Sequence, residues 1–164
     1  MHKIILASHS PRRRELLAGL GLDFEVRVIP GIDEEYPAGL PADETALYIA
    51  KKKAEAYAVA PDEVLLTADT VVIVDDEVLG KPQDAADACR MLRRLSGRTH
   101  HVVTGVCLSL PGVQRAFSVR TEVTFKPLDE AEIAYYVRRF RPFDKAGAYG
   151  IQEWIGYIGV TGIH

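Results

Sequence analysis

The sequence predicts an α/β (α+β) fold in which helices flank a mixed, twisted sheet. Three observations predict it: β-rich apolar runs at residues 4–7 and 64–74, amphipathic helical patterns between the runs, and a hairpin pattern around Pro111 and Gly112. Helices that connect strands favour parallel pairing, whereas a hairpin is antiparallel, so the sheet should be mixed. A chain of 164 residues that is 48% hydrophobic can bury a core as one domain spanning residues 1–164.

The first third predicts strand, helix, strand and helix. Residues 3–8 contain the apolar run of a central strand, and Ser10 followed by Pro11 is typical of a helix N-cap and first turn. Residues 24–28 alternate apolar and charged side chains as in a half-buried strand. A second helix is expected over residues 44–58, capped by Asp43. The leucines at helical spacing in the first helix, and the glycines that end it, are Leu16, Leu17, Leu20, Gly19 and Gly21.

The rest of the chain continues this alternation. Residues 64–74 form a long predicted strand, and a turn at Asp75 and Asp76 leads into residues 78–79. A helix should begin after Asp84 and end at Leu95. Two antiparallel strands, 102–110 and 113–125, follow; Asp129 and Glu132 then suggest a capping box before the last predicted helix, and a glycine-punctuated strand runs to His164. The expected apolar faces are Ala88, Met91, Leu92 and Leu95; Phe117, Val119, Val123 and Phe125; and Ile133, Tyr136, Val137 and Phe140.

Composition and charge argue against several classes of protein. The formal net charge of −3 and the pI near 6.0 are unfavourable for wrapping nucleic acid. Charges interrupt every apolar run, so neither a signal sequence nor a membrane span is expected. Cys89 and Cys107 fit no metal spacing and are interpreted as small buried side chains, which favours the reducing cytoplasm.

The segment from Ser8 to Arg13 combines hydroxyls and guanidinium groups between a buried strand and a helix. Arginines in the first turn oppose the helix dipole unless an anion is bound there, and free backbone N–H groups would add further donors. The segment therefore indicates a site for a polyphosphate. The alternative is a Ser-Pro cap followed by solvated arginines.

Asp69 is a single charge in the middle of an apolar strand. Burying a carboxylate without a partner costs several kcal/mol, so a cation, hydrogen-bond donors or an open cleft should accompany it. The functional interpretation is a general base or a carboxylate close to a metal. The alternative is a structural aspartate bound to backbone N–H groups.

Three charged residues and one glutamine complete the candidates. Glu34 lies in an acidic loop, Lys53 in a lysine run on a helix and Lys81 in a stiff Gly-Lys-Pro turn. Each alone could be an ordinary solvated side chain. Gln152 ends a segment of small and polar residues that allows close backbone approach, and its amide could bind a base edge.

Five blocks occur in order along residues 4–152. They are Ser8-x-Ser10-Pro11-Arg12-Arg13-x-Glu15-Leu16-Leu17, Ala68-Asp69-Thr70-Val71-Val72, Gly80-Lys81-Pro82, Leu95-Ser96-Gly97-x-x-His100-x-Val102-x-Thr104-Gly105 and Asp144-Lys145-Ala146-Gly147-Ala148-Tyr149-Gly150-Ile151-Gln152. Together they resemble the Maf family of nucleoside triphosphate pyrophosphatases, and within it the dTTP/UTP pyrophosphatase branch. The resemblance implies a fold related to inosine triphosphate pyrophosphatases, a cytoplasmic location, a homodimer and a divalent metal.

The resemblance also implies roles for individual residues. It makes Asp69 the proton acceptor and assigns Arg13, Thr70 and Gln152 to pyrimidine selection. It places the following residues around the phosphates and the metal: Ser8, Arg12, Glu34, Lys53 and Lys81.

The residues themselves fit such a mechanism. Arg12, Lys53 and Lys81 could neutralise phosphate charge. Carboxylates of Glu34 and Asp69 with phosphate oxygens would favour Mg²⁺ or Mn²⁺ over zinc. Whether Asp69 takes the proton, binds the metal or does both is left open.

Alternative functions are compatible with the same residues. They are hydrolysis of 7-methyl-GTP or a modified nucleotide, a non-catalytic nucleotide sensor that regulates division, and, third, a nucleic-acid-binding module. The family usually continues beyond the position of His164 into a further strand and helix, so the chain is expected to lack that end.

Overall fold

The computed structural model describes residues 2–164 and contains the mixed sheet and flanking helices that the sequence predicts. The sheet order is β2-β1-β3-β5-β6-β7, with β4 paired to β3. The strands are β1 Lys3–Leu6, β2 Phe24–Val26, β3 Glu63–Val74, β4 Glu77–Leu79, β5 Thr99–Leu110, β6 Val113–Phe125 and β7 Val160–Ile163. The helices are α1 Pro11–Ala18, α2 Thr45–Glu55, α3 Ala85–Leu95, α4 Glu130–Phe140 and α5 Trp154–Gly159, with short 3-10 turns at Ala42–Glu44 and Ala146–Ala148.

The chain divides into two compact units. The first comprises residues 1–69 and 104–119, and the second comprises residues 70–103 and 120–164. The boundaries therefore fall inside β3, β5 and β6. No helix among residues 2–164 is long and apolar enough to cross a membrane.

The first unit is built on parallel strands. β1 pairs in parallel with β2 and with β3, so β1 is an internal strand as predicted. Its core contains Ile5 and Leu65 from these strands together with Ala50 from α2, and Cys107 of β5 is also buried there. β5 approaches α2 very closely, because a Cβ atom on Gly105 would lie 2.4 Å from the backbone nitrogen of Leu47.

The second unit has the larger apolar core. α3 buries the predicted stripe, and Asp84 caps it by accepting a hydrogen bond from the Asp87 N–H at 2.8 Å. The predicted capping box of α4 is present, with Asp129 and Glu132 each accepting a hydrogen bond from the other's backbone N–H. β4 pairs antiparallel with β3, and β7 pairs antiparallel with the end of β6.

Two predictions about element type and capping are wrong. Residues 154–159 form α5 instead of a strand, and only Val160–Ile163 extend to form β7. Burial of Ile155 stabilises this short helix more than its glycine-rich sequence does. α2 begins at Thr45 after a 3-10 turn, and no side chain caps it, so Asp43 is not its cap.

The predicted apolar faces of the first helix and of β6 are only partly buried. In α1 Leu17 is buried and Leu16 is 55% exposed, and Leu20, which lies beyond the end of the helix, is 70% exposed. In β6 Val123 and Phe125 are buried, but Phe117 and Val119 are about half exposed. Val123 and Phe125 lie in the part of β6 that pairs with β7. The second predicted strand is also shorter than expected and ends at Val26.

His100 is buried in the second unit and faces away from His101, which is partly exposed. The sequence predicts these opposite orientations, because neighbouring side chains alternate along a strand. His100 Nε2 lies 2.5 Å from the Tyr149 hydroxyl, and its ring contacts Phe125. Among the described buried side chains, its Nδ1 is the polar atom without a hydrogen-bond partner. Burial lowers the pKa of His100 from 6.5 to about 4.

This burial should make the protein lose stability in mild acid. The pKa of the His100 imidazole is 6.5 in the unfolded chain and about 4 in the folded chain. The free energy of unfolding is therefore highest above pH 6.5 and decreases as the pH falls from 6.5 to 4. At pH 5 the expected loss is about 2 kcal/mol. Urea unfolding at pH 7.5 and 5 checks it: His100→Phe should remove the loss and His101→Gln should retain it. An unchanged pH dependence in His100→Phe would contradict the prediction.

Candidate functional site

Two serines organise the segment between β1 and α1. Ser8 is buried, and its hydroxyl accepts a hydrogen bond from the Ser10 N–H at 3.1 Å. The Ser10 side chain in turn caps α1 by accepting a hydrogen bond from the Arg13 N–H at 3.3 Å. This confirms the predicted cap. Arg12 and Arg13 lie in the first turn of α1, which contains no acidic residue.

The carbonyl oxygen of Ala68 on β3 accepts hydrogen bonds from side chains of both α1 and α2. Arg13 donates a hydrogen bond to it from Nη1, and Lys53 donates another from Nζ, each at 3.1 Å. Two cationic side chains from different helices therefore lie beside Asp69, the next residue along the strand. The sequence predicts that a cation, hydrogen-bond donors or an open cleft accompanies Asp69, but it gives no contact that would identify these two side chains.

Lys53 also joins two carboxylates. Its Nζ lies 3.2 Å from Asp69 Oδ1 and 3.4 Å from Glu34 Oε1. The Asp69 side chain is 14% exposed and that of Glu34 is 50% exposed. We refer to Arg13, Glu34, Lys53 and Asp69 as the Asp69 cluster. All four lie in the first unit.

Burial has the largest influence on the pKa of Asp69. It raises the pKa of the carboxyl group above its ordinary value, while Lys53 and Arg13 act in the opposite direction and Glu34 adds to the increase. Burial likewise lowers the pKa of Arg13, against the attraction of Asp69 and Glu34. A carboxylate with a raised pKa holds a proton more strongly, which is the property required of a general base.

The remaining predicted residues are not members of the Asp69 cluster. Arg12 is exposed, and its contact is with Glu15, 3.6 Å away on the same helix. Thr70, Lys81 and Gln152 belong to the second unit, where Lys81 and Gln152 are exposed and Thr70 is partly buried. The structure therefore brings together Arg13, Glu34, Lys53 and Asp69, next to the segment that contains Ser8.

Within the second unit, the Lys81 turn lies against the segment that leads to Gln152. The Gly147 N–H donates to the Gly80 carbonyl oxygen at 3.1 Å. Gly147 has a φ of +69°, and a Cβ there would lie 2.7 Å from Val72 Cγ2, so a side chain would be strained and would clash. The blocks containing Thr70, Lys81 and Gln152 thus belong to one packed arrangement of the second unit.

A buried tyrosine fixes the backbone next to Gln152. The hydroxyl of Tyr136 accepts a hydrogen bond from the Gly150 N–H at 3.0 Å and donates one to Glu153 Oε1 at 2.6 Å. The sequence identifies Tyr136 only as part of an apolar helical face. A buried tyrosine usually requires a partner for its hydroxyl, and this is the signal that could have revealed the contact.

Comparison with known proteins identifies the family. Residues 3–164 match the Maf family, described as Maf-like protein. The chain belongs to the Maf family. A dTTP/UTP pyrophosphatase of Phocaeicola vulgatus is 59% identical over 164 residues, an alignment that covers 99% of this chain and 85% of the relative. A dTTP/UTP pyrophosphatase of Porphyromonas gingivalis is 58% identical over 163 residues, covering 97% of this chain and 82% of that protein.

A solved structure supports the fold of this Maf chain. The Staphylococcus aureus Ham1 protein has a TM-score of 0.51 and 18% sequence identity, with 75% of this chain and 71% of that chain covered. At this identity the comparison supports the α/β architecture alone.

Proposed function

We propose that this Maf-family chain is a nucleoside triphosphate pyrophosphatase that hydrolyses dTTP and UTP to the nucleoside monophosphate and pyrophosphate. The observation that carries the proposal is the Asp69 cluster, in which a largely buried carboxylate of raised pKa contacts Lys53 and is also attracted by Arg13. Two relatives that are 59% and 58% identical and are named dTTP/UTP pyrophosphatase support the choice of substrate.

The proposed reaction breaks the bond between the α-phosphorus and the oxygen that bridges to the β-phosphate. A water oxygen forms the new bond to the α-phosphorus and pyrophosphate leaves with the bridging oxygen. Asp69 receives the proton that water loses, and Lys53, which contacts Oδ1, holds the carboxylate in place. Lys53 supplies positive charge near the developing charge on phosphate.

The donor set fits a hard divalent cation. Glu34 and Asp69 already converge on one cation, the Lys53 ammonium, and carboxylate oxygens are ligands that Mg²⁺ and Mn²⁺ prefer. Residues 2–164 contain no group of three or more His, Cys, Asp or Glu side chains that could hold a metal, so phosphate oxygens and water would complete the coordination. When bound, the ion would neutralise triphosphate charge.

Base selection is assigned to Arg13, Thr70 and Gln152, as the family resemblance implies. The exposed amide of Gln152 can donate and accept hydrogen bonds. Tyr136 binds the backbone N–H of Gly150 before this glutamine and the side chain of Glu153 after it. In the same proposal Ser8, Arg12 and Lys81 bind phosphate oxygens.

The proposed function is tested by measuring pyrophosphate release from a panel of nucleoside triphosphates, each with Mg²⁺ and with chelator. We expect dTTP and UTP to give the highest kcat/KM and chelator to abolish turnover. Preference for 7-methyl-GTP would overturn the assigned substrate. Binding of all nucleotides without pyrophosphate release in the presence of Mg²⁺ would overturn the enzymatic proposal in favour of a sensor.

Replacing Lys53 with methionine should change the pH at which activity is lost in acid. Lys53 lowers the pKa of Asp69, so its removal raises that pKa further. Activity that needs ionised Asp69 is lost as the pH falls through this pKa, and the acid limb of kcat/KM should therefore move to higher pH. Lys51→Met, which removes the same charge from an exposed site on α2, should leave the limb in place. A shift to lower pH in Lys53→Met would contradict the assignment.

A further inference from the structure

Two adjacent lysines of α2 bind the same acidic segment, residues 33–35, in different ways. Lys53 contacts Glu34 and Asp69 within the Asp69 cluster. Lys52 lies outside the cluster. Its Nζ donates to Asp33 Oδ2 at 2.8 Å and to the Glu35 carbonyl oxygen at 2.7 Å. Lys52 therefore holds the residue on each side of Glu34.

The acidic segment also contains an internal hydrogen bond. Asp33 Oδ1 accepts a hydrogen bond from the Glu35 N–H at 2.8 Å, so the side chain of Asp33 binds both Lys52 and the backbone of Glu35. Glu35 is correspondingly held through its N–H and its carbonyl oxygen. This network fixes the backbone that carries Glu34, and it forms between two residues of the segment and a single ammonium.

Glu34 needs such support because little else holds it. Residues 27–41 contain no helix or strand, and Asp33, Glu34 and Glu35 are all exposed. An exposed glutamate on an irregular segment loses conformational entropy when it is confined to one contact. Three successive acidic residues also repel one another, and the neighbouring ammonium of Lys52 offsets that repulsion.

We propose that Lys52 is a positioning residue that anchors residues 33–35 to α2 and thereby presents Glu34 to Lys53 and Asp69. The inference rests on the proposed function, in which Glu34 helps to hold the divalent cation. It assigns to Lys52 a role that the sequence pattern does not suggest, since a lysine run on a helix is usually a solvated face. Lys52 itself does not touch Asp69 or the substrate in this proposal.

The first experiment compares Lys52→Met with Lys51→Met by amide hydrogen exchange at short labelling times. Lys51 is the matched control because it is exposed on the same helix and its replacement removes the same charge. Exposed ion pairs contribute little to global stability, so neither variant should change Tm appreciably. Exchange of the Glu35 amide should accelerate at least about 5-fold in Lys52→Met alone. Equal exchange in the two variants would overturn the anchoring role.

The second experiment measures the Mg²⁺ concentration that gives half-maximal dTTP hydrolysis. Lys52→Met should raise it about 5- to 10-fold with kcat at saturating Mg²⁺ changed less than about 2-fold, since the geometry of Glu34 and not the chemistry of Asp69 is altered. Lys52→Arg, which keeps a cationic donor, should restore most of the wild-type value. An unchanged Mg²⁺ requirement despite faster exchange would overturn the positioning role.

A double-mutant cycle completes the test. Asp33→Ala removes one partner of Lys52 and also the acceptor of the Glu35 N–H. Adding Lys52→Met to Asp33→Ala should therefore raise the Mg²⁺ requirement by less than Lys52→Met does in the wild-type protein. Additive effects would contradict a shared anchor. If the wild-type protein releases no pyrophosphate from any nucleotide, the proposed function fails, whereas the exchange measurements still decide whether Lys52 anchors the segment.

Discussion

Replacing Asp69 with asparagine should lower kcat for dTTP hydrolysis at least about 100-fold, the range expected when a general base is removed. Asparagine has nearly the same shape as aspartate but cannot take a proton from water at neutral pH. The contact with Lys53 Nζ at 3.2 Å also loses its charge. Pyrophosphate release measured at saturating dTTP and Mg²⁺ gives the result directly.

The Asp69→Asn variant should remain folded. Burial raises the pKa of Asp69, which means that the ionised side chain destabilises the folded state at neutral pH and that a neutral replacement relieves this cost. Tm should therefore be equal to or above that of the wild type. Asp43→Asn, at an exposed position of the same unit, serves as the control and should retain full activity. Wild-type turnover by folded Asp69→Asn protein would remove Asp69 from the mechanism.

Replacing Gly105 with alanine should destabilise the protein by about 3 kcal/mol or more, at the upper end of the cost of overpacking. A Cβ at this position would lie 2.4 Å from the nitrogen and 2.5 Å from the Cα of Leu47, and backbone atoms cannot rotate away as a flexible side chain can. For a chain of this length, Tm should fall by on the order of 10 °C.

Gly105→Ala should also displace Lys53 of the Asp69 cluster, because Leu47 and Lys53 lie on the same helix, α2. We therefore expect weaker substrate binding even in the fraction that remains folded. Gly39→Ala is the matched control: a Cβ on Gly39 would meet no atom within 4 Å. Thermal unfolding and KM for dTTP provide the two measurements. A Tm for Gly105→Ala equal to that of Gly39→Ala would show that β5 and α2 can separate without cost.

Elements with strong local signals were predicted well. α3 follows its Asp84 cap and buries the four apolar residues that its periodicity identifies, and α4 begins at the predicted capping box. These signals depend on residues only three or four positions apart, so the sequence contains them in full. The interruption of β3 by Asp69 is equally visible, because one charge stands in an apolar run.

Elements held by distant contacts were predicted poorly. α5 consists of Trp154–Gly159, a six-residue segment with two glycines that is too short for a clear helical pattern, and it is held by the burial of Ile155. The same limitation applies to the site. The local pattern identifies Asp69 as an acid that needs compensation, but only the fold brings Lys53 to both Asp69 and Glu34.

The net charge of the Asp69 cluster affects whether a free nucleotide or a nucleotide with a bound divalent cation would bind there. Two acids and two bases, Glu34, Asp69, Arg13 and Lys53, cancel one another formally. Such a neutral group has little excess positive charge to offer a bare triphosphate, whose negative charges would meet the acids as well as the bases. A nucleotide that arrives with its divalent cation would bring positive charge to the carboxylates of Glu34 and Asp69. The Lys53 ammonium, which otherwise balances these carboxylates, would then be available to bind the phosphates.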